Sequence, residues 1–163
     1  MSITLSLSPD YSPPSNPPLC PALDPPDENP ADALALSVTL PAEPRSAAIA
    51  RTAVAAALDA YHLDRHTLAA TLVITELIAT AARLAPHTDL YLSLRHRDDI
   101  LRLVLWDQHP PHLDPDTRTV CTTRRIRSLW LLSVTVEDWG GEWGITPSTP
   151  PHQGTKTWVN LPS

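Results

Sequence analysis

Apolar side chains recur along this chain at two spacings, and each spacing predicts a different kind of element. From Leu34 to Leu40 they alternate with polar residues and the run stops at Pro41, the period of a half-buried strand. Behind Ser46, whose hydroxyl suits a helix cap, Ile49, Ala50, Ala53, Val54, Ala57 and Leu58 recur at helical spacing. A second helix is predicted from about Asp64 to Ala85. Leu68, Leu72, Ile74, Leu77, Ile78, Ala81 and Leu84 make most of its circumference apolar, and Pro86 ends it.

The alternating period returns twice, at Asp89 to Arg95 and at Ile100 to Trp106, with His96, Arg97, Asp98 and Asp99 between. Leu90, Leu92 and Leu94 on one run and Leu101, Leu103 and Leu105 on the other predict a hairpin with one buried face. Proline and polar residues from Gln108 to Thr123 imply a long loop, followed by a helix from about Arg124 to Val136. Glu142 to Thr146 and Thr155 to Leu161 read as closing antiparallel strands joined by a turn over Pro147 to Pro151. Two early helices and a later one against an antiparallel or mixed sheet make a two-layer α/β sandwich.

This domain is expected over residues 32–163, behind a proline-rich acidic tail over 1–31. The tail carries Pro9, Pro13, Pro14, Pro17, Pro18, Pro21, Pro25, Pro26 and Pro30 together with Asp10, Asp24, Asp27 and Glu28, and no basic residue. Proline removes amide donors and disfavours helix in the residue before it, so the tail reads as flexible.

Composition narrows the function classes. With 42% hydrophobic residues, the 163-residue chain has the makings of a core, while no run approaches eighteen continuous apolar residues and no secretory signal is visible. No membrane span and a cytoplasmic location are therefore expected. A formal charge of -6 repels phosphate backbones, so nucleic acid is not an expected partner. Cys20 and Cys121 have neither zinc-ligand spacing nor a disulfide framework, and His87, His109 and His112 share no metal-ligand spacing, although Asp107 and Asp114 nearby leave a loop site open. None of the four glycines belongs to a Walker or Rossmann fingerprint.

Two groups of residues stand out as candidate chemistry. Glu76 interrupts an apolar helix segment, with Thr80 four residues on and Arg83 seven on, so all three lie near one stripe. A carboxylate there must be paired, hydrated or functional; either the stripe faces a cleft, or Glu76 contacts Arg83 or the backbone at a helix edge. Asp107 ends an apolar strand, where an acid either accepts from a ligand amine or caps a turn. Arg124, Arg125 and Arg127 form a basic cluster that either faces an anionic partner or is solvated.

The segment from Thr75 to Arg83, the strand ending in Asp107 and the ending Gly154, Lys156, Thr157, Trp158, Leu161 and Pro162 resemble the small histidine-kinase-like ATP-binding proteins of actinomycetes. These are relatives of the anti-sigma-factor serine kinases and share the Bergerat (GHKL) fold with sensor kinases and gyrase. The resemblance spans about Leu34 to Pro162 and implies the histidine-kinase-like ATPase type of sandwich. It makes Glu76 the catalytic base and puts Thr80 in the place of the magnesium-binding asparagine, with Arg83 retained. Asp107 becomes the acceptor of the adenine amino group. Ile126, Arg127, Ser128 and Leu129 replace a Gly-Arg-Gly-Leu phosphate segment, and Thr157 or Lys156 approaches the ligand.

The departures weaken that site. A threonine hydroxyl is shorter than an asparagine carbonyl, and magnesium needs near-octahedral oxygens at about 2.1 Å. His109 stands where the family keeps a small residue beside the purine, and Ile126 adds volume where backbone must approach phosphates. The sequence therefore predicts a regulatory protein-binding domain with weakened or lost ATP binding and no expected cofactor. Its partner would be a regulatory protein such as a sigma factor or an antagonist, and the resemblance also implies a homodimer. The alternative is an ATP- and magnesium-dependent serine/threonine kinase acting on an antagonist protein. A third reading has Asp107 and Arg83 holding a different small ligand in a remodelled cleft.

Overall fold

A computed structural model describes residues 34–110, 112–148 and 153–163, all within the compact unit Ala31–Ser163. The proline-rich tail expected over 1–31 lies outside the described residues. The chain runs β1 (Ala35–Pro41), α1 (Ser46–Ala60), α2 (Thr67–Leu84), β2 (Asp89–Arg97), β3 (Ile100–Asp107), α3 (Pro115–Ser128), α4 (Trp130–Asp138), β4 (Glu142–Pro147) and β5 (Thr155–Pro162). The five strands form one sheet in the order β1-β2-β3-β5-β4, and every neighbouring pair is antiparallel. The architecture is a mixed α/β sandwich.

Alternation along the central strands creates the core. Leu90, Leu92 and Leu94 of β2 and Leu101, Leu103 and Leu105 of β3 are buried on the inner face of the sheet. Against them lie Val54 and Leu58 of α1, Val73, Ile74, Leu77 and Ile78 of α2, and Leu132 and Val136 of α4. Burial of such side chains contributes roughly 1.5–3 kcal/mol each. The helical stretch Asp64–Leu84 is apolar and long enough to cross a membrane, yet eight residues of α2 are buried within this domain. It is the core helix of a small domain.

Three expectations change in detail. Ser46 is the first residue of α1 rather than its cap; Arg45 holds the cap position, and the Ser46 hydroxyl donates to the Pro41 carbonyl at 2.6 Å. Residues Asp64–His66 form a 3₁₀ turn, so α2 starts at Thr67. In the hairpin, Arg97 pairs with Ile100 and leaves only Asp98 and Asp99 in the turn. Both have positive φ, 51° and 59°, a conformation that aspartate tolerates in tight hairpin turns.

The largest correction concerns the loop expected over Gln108 to Thr123 and the helix expected over Arg124 to Val136. Instead α3 begins at Pro115, because the Asp114 side chain accepts from the Thr117 amide at 2.7 Å and from its hydroxyl at 2.6 Å. Proline fits the first helical position, where its missing donor has no partner to lose. The helical run then breaks at Leu129, with φ -100° and ψ 23°, before α4.

His66 is fully buried, packed on Trp139 with ring centroids 5.4 Å apart, and its Nε2 lies 3.2 Å from the Ser163 hydroxyl. Burial lowers its pKa from the ordinary 6.5, with Arg65 and His96 adding to the shift. The folded state thus holds His66 neutral, while the unfolded chain takes up a proton as pH falls through 6.5. The stability tied to this residue is complete above that pH and is lost as pH falls below it. A His66→Gln variant should show a shallower decline of unfolding free energy between about pH 6.5 and 5 than the parent chain. Parallel slopes in denaturant titrations across that window would contradict this assignment.

Candidate functional site

The inward alternation of β3 continues past Leu105, so Asp107 projects from the strand end into the interior, where it is 0% exposed. An isolated carboxylate there would be costly, and α3 supplies the partner. Arg125, 4% exposed, donates from Nη1 to Oδ2 at 2.6 Å and from Nη2 to Oδ1 at 3.1 Å. The His109 amide donates a third hydrogen bond to Oδ1 at 3.0 Å. This two-pronged geometry is the strong form of a carboxylate–guanidinium pair. Asp107 thus caps the turn at the strand end through the His109 amide, as one of the two expectations had it, and is not open to an amine: Arg125 occupies the direction from which a ligand would donate.

Arg125 is the one side chain of α3 that is buried. Arg118, Cys121, Thr122 and Arg125 share a stripe at helical spacing, and between that stripe and the sheet end lies a cavity of about 390 Å³. His109, His112, Ile145 and Thr155 complete much of its wall. His109 and His112 meet edge to face with centroids 5.0 Å apart. Burial lowers the pKa of His109, and Arg125 adds to the shift while Asp107 opposes it.

Glu76, Thr80 and Arg83 do share one stripe of α2, but they line neither this cavity nor the second one bordered by α3. Thr80 is 1% exposed, and the Arg83 Nη2 donates to its hydroxyl at 3.4 Å. Glu76 is half-buried and forms no ion pair among the described residues, so the Glu76–Arg83 contact does not occur there. Thr157 is buried on the inner face of β5 between Leu105 and Ile145. Lys156 is exposed on the opposite face.

The segment expected to line phosphates is helical. Ile126, Arg127 and Ser128 form the last turn of α3, so their amides are committed to bonds within the helix. Without glycine, nothing interrupts the helix there. Ile126 points outward at 48% exposure, so it adds no volume to an interior pocket. Arg127 and Ser128 instead border an open cavity of about 480 Å³ on the outer side of α3, with Thr119, Val120, Thr123 and Arg124. These residues do not fit a magnesium–triphosphate: the acidic acceptor is taken, the amides are used, and the threonine is sealed in the helix layer.

Sequence reasoning placed Arg125 only in a basic cluster and Cys121 only as a cysteine without zinc spacing; it missed that Arg125 is buried against Asp107 and that Cys121 lies beside His109 and His112. The signal that finds them is Asp114-Pro115, which starts α3 and so sets the stripe. No protein-family model matches the chain, and no curated protein matches it.

Proposed function

We propose that this chain is a cytoplasmic regulatory protein-binding domain built on a histidine-kinase-like (Bergerat) ATPase scaffold that has lost its nucleotide site. The Asp107–Arg125 pair carries this reading, because it puts a guanidinium where an adenine amino group would have to donate. The helical conformation of residues 126–128 and the burial of Thr80 support it. The order of strand, two helices, hairpin, helical segment and two closing strands suits the same scaffold.

Protein binding is favoured by the apolar side chains that α3 and α4 leave in solvent. Trp130 is 68% exposed and Val120 57%, with Leu131 and Val134 also exposed. Large apolar groups clustered on one helical region suit a regulatory protein with a complementary apolar face.

Calorimetric titration with magnesium-ATP and with ADP tests the loss of the nucleotide site. We expect no saturable binding up to millimolar ligand, and no rescue by Thr80→Asn, because Arg125 still occupies Asp107 in that variant. Saturable micromolar binding by the unaltered chain would return it to the kinase reading.

A further inference from the structure

We propose that His109, His112 and Cys121 form a zinc site on the wall of the cavity beneath α3, with the fourth coordination position open to that cavity. This goes beyond the regulatory reading and does not depend on it. The three side chains come from three places: just past the end of β3, the following loop, and the second turn of α3. Their candidate ligand atoms nevertheless all lie within 4.8 Å of one another. Tetrahedral zinc, with bonds of about 2.0–2.1 Å to nitrogen and about 2.3 Å to sulfur, places its donors roughly 3.3–3.7 Å apart. Closing the set takes side-chain movement on the order of 1 Å, which free thiol and imidazole rotors supply.

The backbone around these residues is held by other groups, which fixes the site before any metal arrives. The His109 amide is tied to Asp107 at 3.0 Å. Arg118 donates from Nε and Nη2 to the His112 carbonyl, at 3.1 and 3.0 Å. Cys121 rides on α3, whose start is capped by Asp114. One ring nitrogen, the Nε2 of His112, is buried with no hydrogen-bond partner among the described residues. Leaving such an atom unpaired is unfavourable, and coordination would satisfy it.

The donor set selects the metal. Two imidazoles and a thiolate suit a borderline-soft ion such as zinc, whereas magnesium and calcium need oxygen. Electrostatics allow it: Arg125 is compensated by Asp107, and a Cys121 thiolate offsets one of the two charges of zinc. A bound ion would clamp the loop after β3 to α3 and leave one position for water or a small anion, beside Arg118.

The full chain with zinc chloride, and with cobalt chloride as a coloured reporter, tests the assignment. We expect one equivalent of zinc to be retained against a weak chelator, and bound cobalt to show a thiolate-to-metal charge-transfer absorption. Cys121→Ser should abolish that absorption while Cys20→Ser keeps it. His109→Ala and His112→Ala should each lower zinc affinity by more than the roughly 10–100-fold typical of losing an outer-shell partner. Should a variant fail to fold, the unaltered chain still decides: zinc should protect Cys121 from iodoacetamide, read by peptide mass spectrometry. Less than one equivalent bound, an absorption that survives Cys121→Ser, or alkylation of Cys121 indifferent to zinc would each overturn the proposal.

Discussion

Replacing Arg125 by alanine is expected to cost this domain about 3–5 kcal/mol, the range for breaking a buried ion pair from one side. Asp107 would be left as a buried carboxyl group without its cation, with only the His109 amide as a donor. That loss is a large share of the roughly 5–15 kcal/mol that holds a typical domain together. Arg125→Lys should recover little, since an ammonium cannot reproduce the two-pronged contact. The double variant Asp107→Leu, Arg125→Met removes both charges and should be far milder than Arg125→Ala alone. Urea denaturation of the four proteins provides the comparison. A loss below about 1 kcal/mol for Arg125→Ala would mean the pair behaves as a solvated one. Asp107 would then be free to accept from a ligand, and the nucleotide site would not be closed.

The same pair shows where sequence reasoning stops. The strand period was readable in β2 and β3 because one face of the sheet is buried, and the helical period in α1 and α2 because both line the core. The acid at the end of β3 was therefore readable as a group that either accepts from a ligand amine or caps a turn. Its partner was not. Arg125 lies 18 residues on, in a helix whose threonines and arginines show no apolar stripe, since that helix buries one side chain. Such a helix is set by its cap and by one ion pair, which periodicity does not detect. Once Asp114 and Pro115 fix its start, Arg118, Cys121 and Arg125 fall on one face, and both the ion pair and the histidine–cysteine cluster follow. The proline pair at 110 and 111 obscured that start by extending the loop signal. His66 was unreadable for a different reason: its burial depends on Trp139 and Ser163, brought in from the far end of the chain.

Gly154→Ala is expected to be the second severe substitution, through backbone rather than charge. Gly154 has φ +145°, a conformation that side-chain-bearing residues rarely adopt. Holding alanine there costs roughly 1–3 kcal/mol in strain. A Cβ would also press on the Asp107 carbonyl oxygen and come within 2.7 Å of the Trp106 Nε1. The carbonyl is backbone at the end of β3 and has little room to retreat, and forcing a methyl into such a site costs roughly another 1–3 kcal/mol. The combined loss should be on the order of 3 kcal/mol. Gly144→Ala is the matched control. There the obstruction is the Trp158 ring, 2.7 Å from the added carbon, on the half-exposed outer face of the sheet. A side chain with solvent beside it can turn aside, and Gly144 has no positive φ to penalise alanine. Thermal and chemical denaturation of the two variants should rank Gly154→Ala well below Gly144→Ala in stability. Equal, mild losses would show that the β3 end and the start of β5 separate easily. The close approach that seats Asp107 against Arg125 would then be softer than the buried geometry of that pair requires.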